Sequence, residues 1–383
     1  MIAILLLLLI ATKRTRSYKH VMTGKPSSPL RRGWTTGACA TAATRAAYSA
    51  LLTGLFPDPV RITLPRGQCP EFTLAREQLA PDFAMAGIVK DAGDDPDVTH
   101  KALILATVRH AAPGTGIHFR AGPGVGTVTR PGLPIPPGEP AINPVPRQLM
   151  RETIAELAAR HDAPGDVEIE ISIPDGEELA RHTLNGRLGI VGGLSILGTT
   201  GVVVPFSCAA WIASIHRGVD VCRATGLPHI AAATGSTSEA AVRALYQLPE
   251  TALVDMGDFA GGLLKYLRRH PVPRLTIAGG FAKLAKLAQG HLDLHSGRSS
   301  LDQKWLADAV TSLGGSAELA ARCAAANSGM QILQMAEAAK IPLADYVARQ
   351  AADIAREVAG SDIATEVLIF DRQGQLAGRS NNG

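Results

Sequence analysis

HIAAATGSTSE at residues 229–239, ALVDMG at 252–257 and RLTIAGG at 274–280 decide the fold of the second half of this chain. Each is a short apolar run that closes on glycine or an acidic residue. Helical patterns follow, from residues 238, 259 and 281. Three strand-and-helix units in succession predict a parallel sheet with crossover helices, a Rossmann-like α/β domain over residues 216–383. Residues 301–358 extend it as helix by periodicity, and 366–370 with 375–377 predict a closing hairpin.

Upstream the rhythm differs. Residues 38–52 form an alanine-rich stretch with Thr35 or Thr36 as cap and Gly54 as stop, which predicts a buried helix. β-prone runs at 60–64, 71–75, 86–90, 102–108 and 116–119 are separated by Pro, Gly and Asp clusters, which predicts a mostly antiparallel sheet. The proline-rich passage 131–146 reads as an extended loop, 147–160 as an amphipathic helix and 167–173 as a further strand. Residues 30–215 are therefore expected to form an α+β domain. A break anywhere between 201 and 229 fits the pattern.

Composition narrows the function classes. The net charge of +4 in 383 residues gives no argument for nucleic acid and suits an acidic small molecule. The five cysteines are scattered without CxxC or zinc spacing, which points to a reducing compartment and no structural metal. The apolar run at 2–11 has no basic residue before it and no cleavage site after it, and it is shorter than the roughly 20 residues a bilayer requires. Residues 1–29 are read as an extension outside the folded region, a disordered segment or an upstream start codon wrongly included. No membrane partner is expected.

Several segments carry chemistry. GGLSILGTTGVVVPF at 192–206 combines glycines with apolar and hydroxyl residues and no charge, so a flat ligand could approach its main chain. In the unit that starts at His229, Ser236, Thr237 or Ser238 can cap a helix that faces an anion. Asp255 follows Gly235 by about 20 residues, the spacing at which an acidic residue binds a ribose in nucleotide-binding α/β folds. GPGVGT at 122–127 matches a dinucleotide fingerprint, but the prolines after it exclude the required helix, leaving a hairpin. In KDAGDDPDVTH at 90–100, Asp94 and His100 are candidates for a proton acceptor or positioning group on a functional loop.

These segments, with RRGWTTGACATAA at 31–43, the passage 122–147 and HIAAATGSTSE, resemble the cobalt-precorrin-5B C(1)-methyltransferase family, CbiD. The resemblance implies a cytoplasmic enzyme of vitamin B12 biosynthesis. Its reaction would move a methyl group from S-adenosylmethionine to C-1 of cobalt-precorrin-5B, giving cobalt-precorrin-6A, with cobalt present only as part of the substrate. Two further readings stay open: an NAD(P)-dependent tetrapyrrole oxidoreductase and a non-catalytic corrinoid carrier. The cofactor contacts implied are Gly192, Gly193, Gly198, Thr199 and Thr200 on one loop, and Gly235, Ser236, Thr237 and Asp255 on the other. A corrin precursor carries many carboxylates, and arginine forks match them. Arg31, Arg32, Trp34, Thr35, Thr36, Arg130 and Arg147 are the expected substrate contacts, with Arg187, His216, Arg217 and Lys283 as further cations.

Overall fold

Helix α1, Thr36–Thr53, is alanine-rich because it is enclosed on every side: Ala38, Ala40, Ala42, Ala43, Ala46 and Ala47 are all fully buried. Thr35 caps it by accepting from Ala38 N, and Gly54 ends it in the left-handed region at φ 78°. The computed structural model describes residues 29–380, and the apolar run at 2–11 lies outside them. The chain divides into two units between Ser207 and Cys208. The helix Cys208–Ala224 therefore lies wholly in the second unit and is not cut at 215/216.

In the first unit, β1 (Arg76–Leu79), β2 (Phe83–Val89), β3 (Leu103–His110), β4 (Ile117–Ala121) and β5 (Val167–Ser172) form one sheet in the order β1-β2-β3-β5-β4. Neighbours run antiparallel except β5 and β4, which are parallel. Alternate residues Ala84, Ala86, Ile88, Ile104, Ala106, Val108, Ile169 and Ile171 face α1 and helix α2, Pro144–His161. The opposite face carries Arg109, Glu168 and Glu170. That alternation of apolar and polar residues is what a sheet covered on one face requires. Two expectations need correction. Helix α2 starts inside the proline-rich passage, because Pro144 and Pro146 fall in its first turn, where a missing N–H costs nothing. The runs at 60–64 and 71–75 pair only at Val60–Arg61 with Glu71–Phe72.

The second unit holds α3 (Cys208–Ala224), β6 (His229–Ala233), α4 (Ser236–Tyr246), β7 (Leu253–Asp255), α5 (Ala260–Leu267), β8 (Arg274–Gly280) and α6 (Phe281–Ala288). Four helices follow: α7 (Gln303–Ser312), α8 (Ala317–Ala324), α9 (Gly329–Ala338) and α10 (Leu343–Ala359). The chain closes with β9 (Ala364–Phe370) and β10 (Leu376–Arg379). The sheet order is β7-β6-β8-β9-β10, parallel throughout except that β10 runs antiparallel to β9. Ile230, Ala232, Leu275, Ile277, Val367 and Ile369 point to the larger helical layer. Ala231, Ala233, Ala278 and Leu368 point to α4, so both faces are buried and the strands lack polar alternation.

One charged knot interrupts the α4 face near the amino ends of the strands. Glu366, 4% exposed, accepts from Tyr246 Oη at 2.6 Å and from Thr276 Oγ1, Arg274 and Arg379, each at 3.1 Å. Burial pushes its carboxyl up, but these donors outweigh burial and leave it below its ordinary value. A depressed carboxylate contributes stability that is fully present above the unfolded pKa of roughly 4.3 and is lost as pH falls through the folded value. Glu366→Gln should lower stability at pH 7 by about 1–3 kcal/mol. The gap to the parent should narrow below roughly pH 4, as read from urea midpoints across pH; a gap independent of pH would contradict this.

Candidate functional site

Because α1 is buried at its first turn, its N–H groups must find partners inside the protein. Gly37 N donates to Leu197 O at 2.9 Å, Thr36 Oγ1 accepts from Leu197 N at 2.9 Å, and Thr35 N donates to Gly201 O at 3.0 Å. Gly33–Trp34 pairs antiparallel with Val202–Val203. The segment 31–37 and the glycine loop 192–206 thereby form one assembly.

The acidic loop joins it on the other side. Both oxygens of Asp91 accept from the Arg31 guanidinium, one at 2.9 Å, and Asp94 Oδ2 accepts from Arg31 N at 2.6 Å. Asp95 Oδ1 accepts from Phe206 N at 2.9 Å. Hydrogen bonds from Arg31 and Gly93 hold the Asp91 carboxyl down at about 2. Burial raises Asp95. Asp97 is also pushed up by burial, but the fully buried Lys90 ammonium at 2.7 Å and Thr99 bring it below the ordinary range. Asp94 and His100 are both exposed. His100 Nδ1 accepts from Ala92 N at 3.1 Å, so the neutral ring carries its proton on Nε2 and presents a donor there. A proton-acceptor role for His100 would require breaking that bond.

The glycines of this unit serve backbone packing more than ligand approach. Gly124–Val125 runs parallel to Gly193–Leu194, and Thr127–Val128 antiparallel to Ile190–Val191, so 122–127 pairs with the second glycine segment and not with itself as a hairpin. A Cβ on Gly193 would lie 2.2 Å from the carbonyl of Gly124, and one on Gly198 would lie 2.3 Å from Thr35 Oγ1. Both positions assigned to the cofactor are thus filled by protein. Gly192 and Thr199 are exposed and Thr200 is half-buried. Trp34 packs edge-on against Phe72, and the half-buried Arg147 is held by Glu139, Pro140 O and Ile142 O. Arg32 and Arg130 are exposed, the latter with its stem against Gly189. Val191, Leu197 and Val204 give the loop an apolar outer surface.

In the second unit the functional candidates gather at the carboxyl ends of β6, β7 and β8. Gly235 is the N-cap of α4, and no side chain caps that helix; Ser238 Oγ instead donates to Gly235 O at 2.9 Å. Gly235, Ser236 and Thr237 are exposed, and a Cβ on Gly235 or Gly280 would meet nothing within 4 Å. Asp255 ends β7, the strand next to β6; its Oδ1 accepts from Gly257 N at 3.2 Å and its carbonyl from Trp211 Nε1 at 3.2 Å. Chain order crosses from β7 back over β6 to β8, so the order reverses between β6 and β8, the crevice where open α/β sheets hold ligands. A depression of about 520 Å³ runs along α4, lined by Ser236, Glu239, Arg243, Gln247 and Leu253. Lys283, expected from the sequence only as a further cation, lies here and donates to Thr234 O at 2.8 Å, a partner remote in sequence. Among the described residues no cluster of His, Cys, Asp and Glu is suited to a metal, and no helix is long and apolar enough to cross a membrane.

The packing reading gives a direct contrast. Gly193→Ala should cost about 3 kcal/mol or more through overlap with the Gly124 backbone. Gly192→Ala, with φ 89° but no neighbour within 4 Å, should cost only about 1–2 kcal/mol of backbone strain. Thermal unfolding of the two variants checks the order, and equal losses would show that the Gly124 contact yields.

The CbiD family model matches residues 23–205, and the model of the CbiD C-terminal domain matches residues 293–381. A cobalt-precorrin-5B C(1)-methyltransferase of Methylorubrum extorquens is 62% identical over 91% of this chain and 96% of its own length. The protein of that name in Paramagnetospirillum magneticum is 61% identical over 91% and 98%. A cobalamin biosynthesis protein (cbiD) crystal structure from Archaeoglobus fulgidus aligns with 70% of this chain and 83% of its own at 28% identity and a TM-score of 0.38. On the family models and on identity across nearly the whole length, the chain belongs to the CbiD family.

Proposed function

We propose that this chain methylates C-1 of cobalt-precorrin-5B, with S-adenosylmethionine as donor and cobalt-precorrin-6A as product. The observation that carries the proposal is 62% identity over 91% of the chain to a relative bearing that activity in its name. C-1 of the macrocycle attacks the methyl carbon, the C–S bond breaks, and its electron pair returns to sulfur as S-adenosylhomocysteine departs. Such a displacement needs alignment, exclusion of water and one proton acceptor. The cytoplasm is the proposed compartment, supported by five free thiols.

The second unit, read as a Rossmann-like sheet, is the proposed cofactor holder. Gly235, Ser236 and Thr237 line the crevice, and the Asp255 carboxylate takes the ribose hydroxyls. The open space at Gly235 and Gly280 supports this assignment, and the filled space at Gly193 and Gly198 weighs against the other loop. The anionic macrocycle is assigned to the first unit. The apolar surface at Leu197 and Val204, next to the cations Arg31 and Arg32, suits an apolar ring with carboxylates at its rim. Arg32 and Val204 each adjoin the paired residues Gly33 and Val203. The exposed Asp94 is the proposed proton acceptor, and His100 Nε2 a donor to a substrate carboxylate.

Single-turnover incubation with methyl-labelled S-adenosylmethionine should place label on C-1. Corrinoid binding without transfer would leave a carrier, and consumption of reduced nicotinamide an oxidoreductase. Arg32→Ala should raise the half-saturating macrocycle concentration without changing cofactor affinity, and added salt should act in the same direction. Asp255→Asn should weaken S-adenosylhomocysteine by about one to two orders of magnitude in calorimetry. Unchanged affinity in a folded variant would remove the cofactor from this unit.

A further inference from the structure

Lys283 belongs to the first turn of α6, yet it fastens the ends of two other strands. Its Nζ donates to the carbonyl of Thr234, immediately before Gly235, and pairs with Asp258 Oδ1 at 2.8 Å, just beyond Asp255. That carboxylate oxygen is shut off from solvent, so the ammonium is its neutralising charge. Around it the main chains are close: Thr234 N donates to Ala278 O at 2.9 Å, and a Cβ on Gly279 would strike Thr234 Oγ1 at 2.7 Å. Lys283 is thus the cation at the point where the strand order reverses.

An ammonium carries three N–H donors. Thr234 O accepts one of them, the contact with Asp258 is an ion pair without hydrogen-bond geometry, and the side chain remains one-third exposed at 33%. The next lysine along the helix, Lys286, is 8% exposed and donates to Leu294 O at 3.2 Å, and it also feels the charges of Asp258 and Lys283. We propose that Lys283 donates a further N–H to the amino-acid carboxylate of S-adenosylmethionine. This rests on the assignment of the cofactor to the second unit. Lys283 then orients the methionine end, while Asp255 holds the ribose at the end of the neighbouring strand. Its charge is directed to the cofactor and not to the macrocycle carboxylates.

Two ligands separate this role from a merely structural one. S-adenosylhomocysteine and 5′-methylthioadenosine share the adenosine and the thioether, but only the former has the amino-acid end. In calorimetry on the full chain, Lys283→Met should weaken S-adenosylhomocysteine by about 10- to 100-fold, the worth of a charge-assisted hydrogen bond. Binding of 5′-methylthioadenosine should be unchanged, which also reports an intact fold, and Lys283→Arg should restore most of the lost affinity. Equal weakening of both ligands would reduce Lys283 to a clamp on the Thr234 loop and overturn the proposal, as would no change in either. Asp255→Asn tells the two failures apart. It should weaken both ligands alike if the cofactor lies in this unit, and no effect on either would mean that the cofactor assignment itself has failed.

Discussion

The first unit depends on one obligation: the N–H groups at the start of α1 are buried and must be satisfied without water. Leu197 O and Gly201 O meet the main chain there, the Thr35 hydroxyl accepts from Ala38 N, and the Thr36 hydroxyl in turn accepts from Leu197 N of the loop. These bonds fix the glycine loop, whose strand pairing fixes residues 33 and 34. Arg31 then has its direction and draws in the acidic loop through Asp91 and Asp94. The exposed groups proposed for the macrocycle are presented from a frame that starts at a helix terminus. Thr35 and Thr36 are buried within that frame and hold it by hydrogen bonds.

The second unit solves a different problem. Both faces of its sheet are covered, so polar groups survive only at the strand ends and in the knot around Glu366. The two lie at opposite ends of the strands. Donors from α4, β8 and β10 tie the amino end through a single carboxylate. At the other end Lys283 joins main-chain bonds such as Thr234 N to Ala278 O in linking the loops, while Gly235 and Gly280 stay open.

Much of this was legible in the sequence. Alanine density, a threonine cap and Gly54 gave α1 nearly to the residue, and apolar runs ending in glycine gave β6, β7 and β8. The strand at 76–79 was not legible because its residues, Arg-Glu-Gln-Leu, are all exposed on an edge and carry no apolar alternation. The glycines misled for a specific reason. An absent Cβ admits a ligand or another main chain equally well, and at Gly193 the visitor is Gly124. Lys283 was legible as a charge but not as a clamp, because Thr234 and Asp258 become its neighbours only once β6 lies between β7 and β8.

Helix α1 also limits how this protein can change over generations. A residue with methyl side chains packed on all sides has no smaller apolar replacement except glycine, which weakens a helix, and no larger one without displacing its neighbours. Drift along that helix is therefore closed in both directions. Exchange is open instead to exposed residues that the helix supports without containing, such as Arg32, Leu197 and Val204, while the framework beneath stays as it is.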